Sequence, residues 1–155
     1  MTPLFKKLNF KDHIQILVLN SPESFETELL EMISLTKIEK DVNEVKEIGF
    51  AIIFVNTQAQ IDDYIDIVFP KLEGDAVLWF CYPKSSSKKY RCEFNRDTGW
   101  SSLGKYNLEG VRQVAIDEDW SALRFRKIEY IKTLTRREDF ALSEEGKKRT
   151  KKKSD

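Results

Sequence analysis

Three short runs of almost uninterrupted apolar residues, Ile14 to Leu19, Phe50 to Val55 and Ala76 to Cys81, constrain this chain more than any other feature. A strand with one wet face alternates apolar and polar side chains, whereas a strand buried on both faces stays apolar throughout. The runs therefore predict strands of a parallel sheet covered by helices on each side, which places the chain in the α/β class. Between the first two, Ser21 before Pro22 has the form of an N-cap followed by a first-turn proline, and Phe25, Leu29 and Met32 follow at helical spacing. This predicts a first helix from Pro22 to Ile33. Asn56 and Thr57 can cap a second helix whose apolar face is Ile61, Ile65, Val68 and Leu72, with Asp62, Asp63 and Asp66 toward water and Glu73-Gly74-Asp75 as its stop. Leu35 to Glu39 alternates as a short strand near a sheet edge would.

Beyond Cys81 a polar loop, Tyr82 to Lys89, leads to a third predicted helix, Asn95 to Tyr106, with Trp100 and Leu103 inward and Gly99 as its weak point. Val111 to Ile116 and Trp120 to Arg126, joined by Asp117-Glu118-Asp119, read as an antiparallel hairpin that closes the sheet. A chain of 155 residues suits one domain, assigned to residues 1–135. Residues 136–155 form a polar basic tail, expected to lack fixed structure because it carries no packing pattern.

Charge excludes some functions. The 26 basic and 26 acidic residues cancel, so no whole-molecule field draws the chain to nucleic acid or an anionic membrane. The tail holds eight basic against five acidic residues and leaves residues 1–135 mildly acidic. Six of its lysines and arginines fall within Lys147 to Lys153. That run could contact nucleic acid non-specifically, with strong salt dependence, or meet an acidic partner; it serves equally as a solubilising end. Two cysteines and one histidine supply neither a disulfide framework nor the four ligands of structural zinc, so no metal site is assigned. The first residues, Met1 to Lys7, lack the apolar core of a signal peptide, which sets the expectation of a cytoplasmic protein with both thiols free.

Read in order, the pattern β-α-β-β-α-β-α-β-β with a final antiparallel hairpin resembles a trimmed form of the sheet of S-adenosylmethionine-dependent methyltransferases. At finer grain, four stretches resemble an uncharacterised bacterial family, domain of unknown function 3052: Thr2-Pro3-Leu4 with Lys6-Lys7-Leu8, Ile16 to Phe25, Val77 to Lys84, and Trp120 to Arg124. The resemblance spans roughly residues 2 to 127 and implies a three-layer Rossmann-like sheet, mostly parallel, of about six strands with a C-terminal hairpin. It implies no activity.

A dinucleotide or methyl-donor site in such a sheet places glycines after the first strand, because the backbone must turn tightly and approach the ligand closely. This chain has Asn20-Ser21-Pro22-Glu23-Ser24-Phe25 there, with no glycine, one N–H removed by Pro22 and an anion-repelling carboxylate at Glu23. Glu39 and Asp41 fall where an acidic residue grips a ribose in working sites.

Ligands in open α/β sheets sit outside the carboxyl ends of the strands, which selects the loops Asn20 to Ser24 and Tyr82 to Arg91. The candidate ligand-binding residues are Asn20, Ser21, Tyr82, Lys84, Lys88, Lys89, Tyr90 and Arg91: cations for an anion and rings for stacking, gathered in one cleft. The competing reading of the second loop is a solvated connection. His13 is expected at the opposite end of the sheet as a structural residue, Cys81 as a buried hydrophobe, and Cys92 as a thiol whose pKa basic neighbours such as Arg91 could lower. Ser121 lacks the glycine-flanked elbow of hydrolase nucleophiles, and Asp117-Glu118-Asp119 offers too few oxygens for calcium. The expected function is that of a non-catalytic binding or regulatory domain for an anionic small molecule or partner, with no cofactor. The alternatives are a degenerate methyltransferase that holds S-adenosylmethionine through Asn20, Glu39 and backbone groups, and a nucleic-acid accessory protein acting through its tail.

Overall fold

The central strand is the most apolar run of the sequence: β3, Ile48–Phe54, is buried at every position except Gly49. Around it a computed structural model, which describes residues 1–131, assembles six strands. These are β1 (Gln15–Leu19), β2 (Lys37–Glu39), β3, β4 (Leu72–Pro83), β5 (Leu108–Ala115) and β6 (Trp120–Lys127), in the order β2-β1-β3-β4-β6-β5. β2, β1, β3 and β4 run parallel, whereas β4 with β6 and β6 with β5 pair antiparallel. The direction of winding reverses at β1, whose neighbours are β2 on one side and β3 on the other.

Side-chain alternation sends each strand's residues into two cores, as burial on both faces requires. On one face Ala51, Ile53, Leu78, Phe80 and Phe125 pack under α3 (Gln58–Val68) and α4 (Ser101–Gly104), which contribute Ile61, Ile65, Val68 and Leu103. On the other, Phe50, Ile52, Phe54 and Trp79 pack under α1 (Pro3–Lys7) and α2 (Glu26–Leu30), through Phe5 and Leu29. The three-layer, mostly parallel sheet of six strands expected from the sequence is the architecture found. No described helix is long and apolar enough to cross a membrane.

Several expected elements differ in extent. The first helix is a single 3-10 turn, Glu23–Phe25, followed by α2, and ends at Leu30 rather than Ile33. Its cap is Pro22, which makes no side-chain cap bond, so Ser21 does not cap it. The second helix ends at Val68 because Pro70, with no N–H to give, opens a 3-10 turn, Phe69–Lys71. Leu72 therefore belongs to β4, opposite Ile48. Glu73-Gly74-Asp75 is a bulge within that strand, with Gly74 at φ 53°, between the pairs Ile48–Leu72 and Phe50–Val77.

The third helix, expected from Asn95, shrinks to α4. Asn95 spends its side chain on a turn instead: its Oδ1 accepts from the N–H groups of Asp97 (2.8 Å) and Thr98 (3.1 Å). Gly99 then adopts φ 91°, a conformation that no helix continues through, and a Cβ there would meet Phe94 Cβ at 2.6 Å. Trp100 is nonetheless buried, as its apolar surface demands, against Phe94 and Phe125. Ile14 is 87% exposed, so the first strand begins one residue later than its apolar run.

Candidate functional site

β4 delivers Tyr82 and Pro83 to the carboxyl end of the parallel strands, and the chain then leaves the sheet in a loop that returns only at α4. Hydrogen bonds along its length hold this loop. Lys84 N–H donates to the Asp119 carbonyl (2.8 Å), and the Ser87 hydroxyl donates to Asp119 Oδ1 (2.8 Å) while accepting from Tyr90 N–H (3.1 Å). Further on, Glu93 N–H donates to the Asn56 carbonyl (3.1 Å), and its carboxylate accepts from Gln58 N–H in the first turn of α3 (3.0 Å). The indole of Trp100 closes the loop by donating to the Asn95 carbonyl (2.9 Å).

Under this loop lies a cavity of about 520 Å³ whose lining brings together Lys84, Arg91 and Arg96 with Tyr82, Tyr90 and Gln113. No aspartate or glutamate is among its lining residues. Tyr82 is buried, and burial pushes its phenol up to about 12, so it stays protonated through the neutral range. Gln113 Nε2 donates to Tyr82 Oη (2.9 Å), and Gln113 Oε1 accepts from Arg96 Nη1 (3.3 Å). Because the phenol oxygen already accepts one bond, its own hydrogen is available to a ligand as a donor. Cationic heads and a neutral donor together select an anion.

Of the residues singled out from the sequence, Tyr82, Lys84, Tyr90 and Arg91 share this cavity. Lys88 and Lys89 are exposed on the same loop and do not line it, although Lys89 Nζ sits 5.6 Å from the centre of the Tyr90 ring. Asn20 and Ser21 do not line it either. β3 stands between β1 and β4, so the single expected cleft joining Asn20 to the Lys84–Arg91 loop is not formed. Asn20 instead bridges the point where winding reverses, its Nδ2 donating to the Phe54 carbonyl at the end of β3 (2.8 Å). Its φ of 58° supplies the left-handed turn expected of a glycine, so the turn after β1 forms without one. Glu39, at the carboxyl end of β2, is paired with Lys37 at 3.0 Å.

Sequence reasoning missed Arg96 and Gln113. Arg96 lay in a segment expected to be helical, and Gln113 in a strand far along the chain. The one signal pointing to Gln113 was the hairpin itself, which brings β5 and β6 beside β4, with Tyr82 opposite Ser121 and Ala115 opposite Ser121 in turn; nothing in the sequence pointed to Arg96.

The remaining candidates fall into place without chemistry. His13 stands at the amino end of the sheet, its ring against Phe10 and Phe50 and its pKa lowered chiefly by burial. Cys81 is fully buried, which pushes its thiol well up. Cys92 lines the cavity, but its pKa is raised by burial, the reverse of the lowering expected from Arg91. Asp117 Oδ1 accepts from the N–H groups of Asp119 and Trp120 (both 2.8 Å), so this carboxylate shapes the hairpin turn. No group of three potential metal ligands occurs among the described residues. The basic run Lys147–Lys153 and the tail boundary at residue 136 lie outside the described residues.

No family model matches the chain, and no curated protein matches it. Solved structures do. A candidate type 11 methyltransferase from Sulfolobus solfataricus superposes with a TM-score of 0.51 at 9% identity, over 81% of this chain and 89% of the other. A SAM-dependent methyltransferase from Aquifex aeolicus superposes with a TM-score of 0.50 at 9% identity, over 80% and 87%. At such identity the likeness is one of fold: a methyltransferase-like Rossmann sheet.

Proposed function

We propose that this chain is a binding domain on a methyltransferase-like Rossmann sheet, and that its ligand is a small anionic molecule held in the cavity beyond β4. One observation carries the reading: Lys84, Arg91, Arg96 and the protonated Tyr82 share the lining of one cavity that no carboxylate lines, Asp97 pairing with Arg96 from outside that lining at 3.7 Å. In this reading Lys84 and the two guanidinium groups bind charge, Tyr82 and Gln113 set orientation, and Tyr90 offers a ring face. Binding is the role assigned, because a nucleophile needs a positioned base: burial holds Tyr82 and Cys92 protonated, and the chain's one histidine is at the opposite end of the sheet. The resemblance of Ile16 to Phe25, Val77 to Lys84 and Trp120 to Arg124 to domain of unknown function 3052 is part of the same proposal, since two of these stretches frame the cavity.

A second reading, a degenerate methyltransferase that keeps its S-adenosylmethionine site, rests on different observations. The shared fold favours it, as does the left-handed Asn20, which removes the objection that a turn without glycine cannot form. Glu39 at the end of β2 would take the ribose.

Titration calorimetry on the full chain separates the two. Inorganic pyrophosphate is expected to bind and to lose about tenfold in affinity, roughly 1.4 kcal/mol, on Arg91→Ala or Arg96→Ala. Silence toward pyrophosphate, with S-adenosylmethionine binding that Glu39→Gln weakens and Arg91→Ala leaves alone, would transfer the assignment to the second reading.

A further inference from the structure

Arg96, Gln113 and Tyr82 form a hydrogen-bonded relay whose polarity is fixed at one end. A guanidinium only donates, so the Gln113 atom that meets Arg96 Nη1 at 3.3 Å is the amide oxygen. The amide nitrogen is thereby turned to Tyr82 and donates to its Oη at 2.9 Å. Because that oxygen accepts and burial keeps the phenol protonated, the phenol hydrogen points away from Gln113 and is left for a ligand. The relay thus converts Tyr82 from a group able to donate or accept into one that donates.

The rest of the lining has the same bias. Lys84, Arg91 and Arg96 carry hydrogens and no acceptor. The side-chain acceptors beside them are engaged: Asn95 Oδ1 with the N–H groups of Asp97 and Thr98, and Ser87 Oγ with those of Lys89 (3.3 Å) and Tyr90 (3.1 Å). Burial keeps the Cys92 thiol protonated. The hydroxyls of Ser85, Tyr90 and Ser121 can turn to donate as readily as to accept. Three carboxylates border the loop, but each stands outside the lining with a partner of its own. Asp97 meets Arg96 at 3.7 Å, Glu93 accepts from Gln58 N–H at 3.0 Å, and Asp119 accepts from the Ser87 hydroxyl at 2.8 Å.

Such a lining reads the protons on a ligand as well as its charge. A phosphomonoester gives up its second proton with a pKa of about 6, so its monoanion carries a P–O–H that needs an acceptor. A sulfate ester or a phosphodiester is a monoanion with no such hydrogen. Among donors, a P–O–H meets another N–H or O–H, and both groups go without a hydrogen bond. We propose that the cavity beyond β4 selects an oxyanion that carries no proton, a sulfate ester or phosphodiester group, over a protonated phosphomonoester, and that Gln113 is the residue that sets this specificity. The proposal rests on the reading of the cavity as an anion site and narrows the class of its ligand.

Three probes of equal charge test it at about pH 5, where a phosphomonoester is mainly its monoanion: phenyl sulfate, methyl phenyl phosphate and phenyl phosphate. Only the last carries a proton. Titration calorimetry on the full chain is expected to show phenyl sulfate or methyl phenyl phosphate binding about tenfold more tightly than phenyl phosphate, or better, and the tighter of the two identifies the source of the group. Equal affinities, or a preference for phenyl phosphate, would overturn the selectivity and leave the anion site standing. Absence of binding by all three up to about 10 mM would overturn both. Gln113 is exposed at the cavity wall, so Gln113→Glu adds a carboxylate there without disturbing the core. That carboxylate accepts from Tyr82 Oη or from a ligand P–O–H, so the variant is expected to erase the preference against phenyl phosphate. A preference that survives in the variant would overturn the role given to Gln113.

Discussion

Asn20 shows how much one side chain decides in this molecule. It turns the backbone after β1 at φ 58° and ties the end of β1 to the end of β3 through Phe54. Asn20→Ala removes that hydrogen bond and puts a Cβ residue without polar compensation in the left-handed region, a loss of about 2 kcal/mol in urea unfolding. Asn20→Gly loses the bond but accommodates the turn, so it is expected to cost less than ~1 kcal/mol; equal costs for the two would show that the backbone conformation is not what Asn20 supplies. Asparagine is tolerated at such a turn, but nothing in the sequence marked this one as left-handed, which is why the missing glycine was misleading. Asp75 sets the acid limb of stability. The Arg126 guanidinium donates to it at 2.6 to 3.1 Å and holds its carboxyl below the ordinary 3.8 despite partial burial, with Arg124 and Lys127 adding smaller pulls. The folded chain thus binds this proton more weakly than the unfolded chain does, so the pair's contribution is complete above the ordinary carboxylate range and is lost as pH falls below it. Both partners are about one-third exposed, which keeps the contribution under ~1 kcal/mol. Asp75→Asn should make the decline in stability below about pH 4 shallower; an unchanged slope would locate the titration elsewhere.

At the scale of elements, α3 was the most legible, because its start is written in side chains. The Thr57 hydroxyl accepts from Gln60 N–H while Gln60 Oε1 accepts from Thr57 N–H, both at 3.2 Å, a reciprocal cap that also receives Asn56 N–H at 2.7 Å. Thr57→Ala is expected to cost about 1 kcal/mol in urea unfolding. Because Glu93 of the cavity loop bonds to the first turn of the same helix, the variant should also speed amide hydrogen exchange at Gln58, and a stability loss without that change would separate helix from loop. The strands were legible through their apolar runs, and Trp100 and Leu103 were correctly read as inward. Helix lengths were less so: the spacing of Phe25, Leu29 and Met32 is compatible with a long helix, yet α2 ends at Leu30 and Met32 is buried from a turn beyond it. In the third segment, the Asn95 turn and Gly99 overrode the same spacing.

For the whole molecule, the sheet places two hollows of opposite charge character at its two ends, a basic cavity beyond β4 and an acidic one before β1, β3 and β4. A net charge of zero concealed both, since composition carries no information about which strand end a residue reaches. The loop Tyr82 to Arg91 could be singled out as a candidate because strand polarity places it at the carboxyl edge, but Arg96 and Gln113, which line the same cavity, arrive through a turn and a hairpin whose register is fixed only on folding. The most direct measurement is a titration of the full, nitrogen-15-labelled chain with inorganic pyrophosphate followed by amide chemical shifts. The expected result is saturable change concentrated at Lys84, Tyr90, Arg91, Arg96 and Gln113, with Asn20 to Ser24 undisturbed. Shifts centred on Asn20 to Ser24, or none up to about 10 mM, a dissociation constant too weak to correspond to a built site, would contradict the assignment.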